Sequence, residues 1–210
     1  MSKNFSRNLA LILPNKKINL FVVFILILGI ISGSIFLVIL SKTDKEFVIN
    51  QITTFINNIN SNTINNITAF KNSLLKNSIL IILIWVLGMS IIGIIFNIFF
   101  IYFKGFITGF SISSFLLVYK YKGLILSLIY VVPSTIINVI VIILLGAYSI
   151  MFSINLWKMI FLKDKLFSST KLLKKYFIVF GTSLVLILIS SLTEGFLVPA
   201  LIKLIIKLFI

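Results

Sequence analysis

The sequence offers few side chains that could do chemistry. Its 210 residues include four acidic residues, no histidine and no cysteine. Disulfides, thiol nucleophiles, Cys/His metal sites and imidazole acid–base catalysis are therefore excluded. Asp44, Glu46 and Asp164 lie in charged loops, where solvation explains them. Glu194 differs because it lies within an apolar run, where a carboxylate is costly and is by default a functional candidate.

Two interpretations of Glu194 stay open: an intramembrane acid with a function, or a rim glutamate that a neighbouring lysine neutralises. Intramembrane proteases need Ser/His, two Asp or metal ligands on facing helices, and the sequence supplies none of these sets. An ion-coupled transporter usually has several ionisable groups at mid-membrane, whereas this sequence offers one glutamate. There is no Walker motif, so energy from ATP would need a separate subunit. We therefore expect a protein that is not an enzyme, with no cofactor and no metal site.

The composition is that of an integral membrane protein. The chain is 60% hydrophobic and 11% charged, whereas about a quarter of the residues of a soluble domain are charged. Its net charge of +15 comes from basic residues at the ends of apolar runs. Such residues set orientation and contact anionic lipid, so the expected partners are membrane lipid and membrane proteins rather than nucleic acid.

The apolar runs predict an all-α, polytopic bundle of about five transmembrane helices in one domain, 1–210. Basic residues before the first helix and in 158–175 place the N-terminus in the cytoplasm and the C-terminus outside. A re-entrant hairpin over 105–132 is the alternative, but it would put the basic loop outside. The predicted segments are a cytoplasmic tail 1–19, helices 20–40, 78–103, 105–119 (short), 123–157 and 176–198, an extracytoplasmic segment 41–77, a cytoplasmic loop 158–175 and a tail 199–210.

The long central helix contains Pro133, which deletes a backbone hydrogen bond and kinks or breaks the helix. Ser134, Thr135 and Asn138 follow and can satisfy the freed carbonyls. Glycines at close spacing let helix backbones approach each other, although glycine is also simply common in membrane helices. The candidate helix-packing glycines are Gly29, Gly33, Gly88, Gly93, Gly105 and Gly109.

The segment 41–77 has apolar residues three and four apart, which predicts two amphipathic helices on the outer surface. The first would present Ile52, Phe55, Ile56 and Ile59 on one face. This face could bind a partner, or it could pack on the bundle or the lipid interface.

Four stretches in order carry a resemblance to a known family. They are ILIWVLGMSIIGI (82–94), FKGFITGFSI (103–112), YKGLILSLIYVVPSTIINVIVIILLGAYSIMFS (121–153) and LTEGFLVP (192–199). The chain resembles, over roughly 10–210, the stage II sporulation protein M family of bacterial membrane proteins. Members carry a proline in the central helix and a glutamate shortly before a C-terminal proline, which Pro133, Glu194 and Pro199 match. Many relatives read Pro-His-Gly followed by a glutamate, where this chain has Ser134, Thr135 and Asn138, so a charged role for the central helix does not carry over.

The resemblance implies a non-catalytic scaffold in the bacterial cell membrane. Such a scaffold anchors a peptidoglycan-degrading complex, with stage II sporulation proteins D and P as partners, for septal membrane migration and engulfment during endospore formation. Other branches imply an alternative: a membrane subunit of an export or immunity system, working with a transport ATPase or with a circular-bacteriocin precursor. The sequence leaves open which partner binds and whether the protein oligomerises.

Overall fold

The fold is a bundle of long helices. The computed structural model describes residues 16–61, 65–161 and 169–209, and every regular element assigned in them is helical. The tail 1–15 and the middle of the basic loop, 162–168, lie outside the described residues. The elements are α1 (Lys16–Ile39), α2 (Lys42–Asn60), α3 (Asn66–Gly88), α4 (93–119), α5 (121–161), α6 (Ser169–Leu192), a π-helical turn (Thr193–Leu197) and α7 (Val198–Phe209).

Five helices in the described ranges are long and apolar enough to cross a membrane, as the sequence predicts. They include α1 and α3, and the last of them runs from α6 through the π-helical turn into α7. Many of their large apolar side chains are exposed, among them Leu20, Ile95 and Val185 at 57–71%. Such faces are compatible with lipid and not with water. The chain is therefore a multi-pass membrane protein.

The bounds of the second and third predicted helices differ from the structure. The prediction of one helix over 78–103 is wrong, because α3 ends at Gly88 and α4 begins at Gly93. The turn between them is tight: Gly93 lies so close to the carbonyl of Leu87 that an added Cβ would clash with it. The segment 105–119 is consequently the second half of α4 and not a separate short helix.

A second reversal joins α4 to α5 at Lys120, which is the only described non-glycine residue with positive φ (51°). A lysine in this backbone region is strained, so the turn must be held by its surroundings. Gly123 provides part of that support, because an added Cβ there would clash with the carbonyl of Phe115. The two helices then run side by side, and Phe115 packs on Tyr130 with ring centroids 5.4 Å apart.

The last span does not end at Pro199. The predicted end of the final helix at 198 is wrong, because α7 continues the helical path to Phe209. Pro199 has no N–H to donate and its ring crowds the carbonyl four residues back. The π-helical turn lies directly before it and widens the backbone there, with Val198 N–H bonded to the Thr193 carbonyl. The helix thus passes the proline at the cost of one bulge.

The amphipathic segment also divides differently from the prediction. The first predicted amphipathic helix is the separate helix α2, and the predicted second one is the start of the membrane span α3. The apolar face of α2 packs on the protein itself: Ile56 and Ile59 are 3% and 1% exposed. They form one cluster with Phe115, Leu126, Val198 and Ile202, which belong to α4, α5 and α7. This face is therefore not a free surface for a partner.

Candidate functional site

Glu194 lies in the π-helical turn, half-buried inside the bundle. Its Oε2 atom accepts a hydrogen bond of 2.7 Å from Ser73 Oγ of α3. Ser191, one turn earlier on α6, places its Oγ 3.4 Å from the same hydroxyl. A π-helical turn shifts the side chains that follow it around the helix axis, and such turns are frequent at functional sites. Here it directs a carboxylate towards α3.

A chain of hydrogen bonds connects this carboxylate to a lysine. Asn77 Nδ2 donates to Ser73 Oγ over 3.2 Å, and Lys104 Nζ donates to Asn77 Oδ1 over 3.0 Å. Ser73 and Asn77 are four residues apart on α3, so their side chains lie on one face of the helix. Both are buried, at 5% and 6% exposure. Lys104 and Glu194 are thus joined through two neutral side chains that have no freedom to reach solvent.

Lys104 lies at mid-depth in the bundle. The predicted helix bounds 78–103 and 105–119 put it between two helices, whereas it lies near the middle of α4. Its neighbour Gly105 packs on Gly29, near the centre of the apolar run of α1. An unpaired ammonium at this depth costs about 2.5–3.5 kcal/mol on insertion scales. Glu194 supplies the opposite charge within the same cavity, and the pair is neutral overall.

The polar residues after Pro133 face this charge pair. A cavity of about 100 Å³ lies between α4, α5 and the π-helical turn. It is lined by Ser134, Thr135 and Asn138 together with Lys104 and Glu194. The other residues that line it are Ile107, Thr108, Ser111, Tyr130 and Val131. Most of these side chains are polar, and the space is sufficient for several water molecules. The three residues that the sequence singles out therefore lie beside Glu194.

A hydrogen bond joins α6 to the backbone of α5 next to Pro133. Ser190 Oγ of α6 donates a 3.0 Å hydrogen bond to the carbonyl of Ser134. Asn138 is 3% exposed, and its Oδ1 has no hydrogen-bond partner among the described residues. Pro133 itself is half-buried inside α5. Polar side chains of α5 and α6 thus meet at the level of Pro133, where α5 stays helical and the predicted break is not found.

The glycines form two close helix contacts. Gly29 and Gly33 of α1 face Gly105 and Gly109 of α4, and a Cβ added at Gly29 would lie 3.1 Å from the Gly105 Cα. At this contact Ser34 Oγ donates to the Gly109 carbonyl over 3.2 Å. Small residues permit such approach and the hydrogen bonds that come with it.

The second contact is at the C-terminal end of α3, away from Ser73 and Asn77. A Cβ at Gly88 would clash with Ser149 of α5 and Tyr176 of α6. Ser153 Oγ donates to the Gly88 carbonyl over 2.9 Å, and Tyr176 Oη donates to the Trp85 carbonyl over 2.8 Å. Three helices are therefore tied together at this end by hydroxyl groups that bond to backbone carbonyls.

Sequence reasoning missed Lys104, Ser73 and Asn77. The available signal was the i, i+4 spacing of Ser73 and Asn77 together with a lysine inside an apolar stretch. No group of three or more acidic, histidine or cysteine residues that could hold a metal ion occurs among the residues that the structure describes. The arrangement can bind a proton, water or a hydrogen-bonding side chain.

A scan against family models matches the chain to the family described as Stage II sporulation protein M, over residues 20–199. The match reaches into all five candidate membrane helices and includes Pro133, Glu194 and Pro199. It confirms the resemblance read from the four sequence stretches. The searches of curated proteins and of solved structures gave no match. The chain belongs to the stage II sporulation protein M family of membrane proteins.

Proposed function

We propose that this chain is a non-catalytic membrane scaffold that anchors a peptidoglycan-degrading complex for septal membrane migration and engulfment in endospore formation. Stage II sporulation proteins D and P are the proposed partners. The observation that supports the proposal best is α2, an amphipathic helix held firmly on one end of the bundle with its polar face exposed.

Several contacts fix α2 in place. Ser41 caps its N-terminus, with Asp44 N–H donating to Ser41 Oγ over 3.2 Å. Lys45 Nζ donates to the carbonyl of Val38, over 2.8 Å, and so ties α2 to the end of α1. Ile56 and Ile59 are buried against the bundle. A helix held at both ends in this way offers a pre-ordered surface, which lowers the entropic cost of binding.

The outward face of α2 suits a protein partner. Glu46, Asn50, Thr54 and Asn57 are exposed and recur at intervals of three and four, so they lie on one side of the helix. Amide and hydroxyl groups give this face hydrogen-bonding capacity, and its two charges, Lys42 and Glu46, are of opposite sign, so it lacks the net basic character that membrane-surface helices show. The basic residues at 3–17 and 158–175 favour a cytoplasmic N-terminus, which would turn α2 towards the cell wall.

Affinity purification from native membranes, with identification of the proteins that co-purify, tests the proposal. We expect peptidoglycan hydrolases of the D and P type with the wild-type chain and their loss with the double variant Asn50→Arg, Asn57→Arg. Ser90→Arg is the matched control, since it adds an arginine at an exposed turn at the other end of the bundle. Retention of the hydrolases by the double variant would remove α2 as the docking surface, and their absence from the wild-type sample would refute the scaffold.

Substitutions on the apolar face of α2 are not a clean test of binding. Replacing Ile52, Phe55, Ile56 and Ile59 with serine would open the cluster that holds α2 on α4, α5 and α7. Partner loss would then follow from detachment of the helix, whatever surface the partner touches. The polar face avoids this ambiguity because its side chains make no contribution to the buried cluster.

The alternative is a membrane subunit of an export or immunity system, associated with a transport ATPase or with circular-bacteriocin maturation. Lys104 and Glu194, which face one polar cavity at mid-depth, favour this alternative. Glu194→Gln discriminates, because glutamine still accepts the hydrogen bond from Ser73 but cannot carry a proton or a charge. In a scaffold the glutamine variant keeps activity while Glu194→Leu loses it; in an ion-coupled transporter both variants fail.

A further inference from the structure

A groove of about 530 Å³ runs between α3 and α4 on the outside of the bundle. One end is polar, with Lys76, Lys104 and Glu194 at its wall. The other end is apolar, with Leu80, Leu83, Phe100 and Phe103. Along α3 the groove extends from Ser73 to Leu83, which is roughly 15 Å at the helical rise per residue.

The groove opens to the lipid side of the bundle. Ile79, Leu83, Phe103 and Ile107 line it and are 38–56% exposed. Side chains with this exposure on membrane helices face hydrocarbon or another membrane protein. The groove also lies level with Lys104, which is at mid-depth. A water-soluble ligand would not reach it from either membrane surface.

Exposing the polar end of this groove to hydrocarbon is energetically unfavourable. Charged and hydrogen-bonding groups at mid-depth are costly unless they pair, and in membrane proteins they serve as contact points between helices. Lys104 and Glu194 are only half-buried, and Lys76 is exposed. Lys104 also uses a single described hydrogen bond, to Asn77, although an ammonium group can donate three.

We propose that this groove is the docking site of a transmembrane helix of a partner protein, which sets a hydrogen-bonding side chain against the polar end formed by Lys76, Lys104 and Glu194 and apolar side chains along Leu83 and Phe103. The length of roughly 15 Å corresponds to about ten helical residues, enough for three to four side chains on one face. The inference rests on the proposed scaffold function, since it identifies the surface that would bind a membrane-anchored partner inside the bilayer.

A second copy of this chain does not supply the required helix. Away from the groove itself, its exposed residues near this depth include Ile27 and Ile31 on α1, Ile136 on α5 and Leu188 on α6, which are apolar and 45–53% exposed. None of these could donate or accept a hydrogen bond at the polar end of the groove. We therefore assign the complementary helix, apolar with one central polar side chain, to a different protein; two copies that met groove to groove through Lys76 would instead give an adduct to this chain.

Site-specific photocrosslinking of the full chain in native cells tests the proposal. A benzophenone amino acid replaces Leu83, inside the groove, or Ile82, which is the next residue, is 44% exposed and does not line it. We expect a protein adduct from position 83 and not from 82, with the crosslinked peptide belonging to a transmembrane helix that has a polar residue within about two turns of the crosslink. An adduct to this chain itself, adducts to lipid only, or equal adducts from both positions would overturn it.

A charge variant probes the polar end. An interhelical hydrogen bond in a membrane corresponds to a threefold to tenfold change in affinity, so Lys76→Leu should lower the yield at position 83 by about that factor. Lys71→Leu is the control, because Lys71 is exposed on the same helix but outside the groove. An equal yield from both variants would overturn the polar contact that the proposal places at this end of the groove. If the hydrolases co-purify but position 83 gives no adduct, the groove proposal fails and the scaffold stands.

Discussion

Removing one member of the Lys104–Glu194 pair should destabilise the bundle more than removing both. Glu194→Leu deletes the hydrogen bond from Ser73, which is worth about 0.6 kcal/mol in membrane proteins. It also leaves Lys104 without a counter-charge, for which insertion scales give about 2.5–3.5 kcal/mol at the bilayer centre. Because both side chains are half-buried beside a polar cavity, we take about half of that cost. The expected loss is about 2 kcal/mol of unfolding free energy.

Lys104→Leu should cost a similar amount, since it leaves a carboxylate unpaired. The double variant has no unpaired charge, and replacing an ion pair by apolar side chains is often nearly neutral. We expect it to lose about 1 kcal/mol rather than the additive 4, because the Ser73 hydroxyl loses its bond to Glu194 and Asn77 Oδ1 loses its bond from Lys104. The coupling free energy is then about 3 kcal/mol, well above the scatter for independent sites.

Unfolding by a denaturing detergent, followed by tryptophan fluorescence, measures these values. Trp85 of α3 stacks on Phe180 of α6 with centroids 4.4 Å apart, so its emission reports separation of the two helices. A Trp157→Phe background removes the second tryptophan. The control cycle uses Glu46→Leu and Lys71→Leu, two exposed charges on different helices that should add within about 0.5 kcal/mol. Additive losses for Lys104 and Glu194 would refute the pairing.

Three further substitutions have defined outcomes in the same unfolding assay. Gly105→Ala should cost about 1–3 kcal/mol, because its methyl group enters the backbone of α1, whereas Gly181→Ala, with nothing within 4 Å, should be neutral or slightly stabilising. Ile59→Ala should cost about 2–5 kcal/mol and increase proteolysis around residue 60, since Ile59 is 1% exposed in the cluster under α2. Tyr176→Phe should cost about 0.6 kcal/mol through the lost bond to the Trp85 carbonyl.

The five membrane spans could be predicted because each depends on a long apolar run, and run length is a local property of the sequence. The turn between α3 and α4 could not, because Met89, Ser90, Ile91 and Ile92 are no more polar than the helices beside them. Hydropathy averages over such a turn and extends one helix through it. The averaged hydropathy therefore puts Lys104 at a helix end, whereas in the structure it lies in the middle of α4.

The sequence identifies some residues of the candidate site but not how they are brought together. Glu194 is noticeable in sequence because it is an isolated acid in an apolar run, and Pro133 draws attention to Ser134, Thr135 and Asn138. Their common cavity depends on the register between α4, α5 and α6, which no local pattern encodes. The partners of Glu194 on α3 were missed because Ser73 and Asn77 lie in a stretch that composition assigns to the outer segment.

The scaffold proposal requires α2 to face the cell wall, and cysteine accessibility in intact cells measures this most directly. The native chain contains no cysteine, so single substitutions report without background. The account predicts that an impermeant maleimide labels Asn50→Cys from outside, while Ser90→Cys, in the turn at the other end of the bundle, reacts only after the membrane is permeabilised. Labelling of Ser90→Cys in intact cells with Asn50→Cys protected would place α2 in the cytoplasm, where it could not hold a peptidoglycan-degrading complex, and would contradict the proposal.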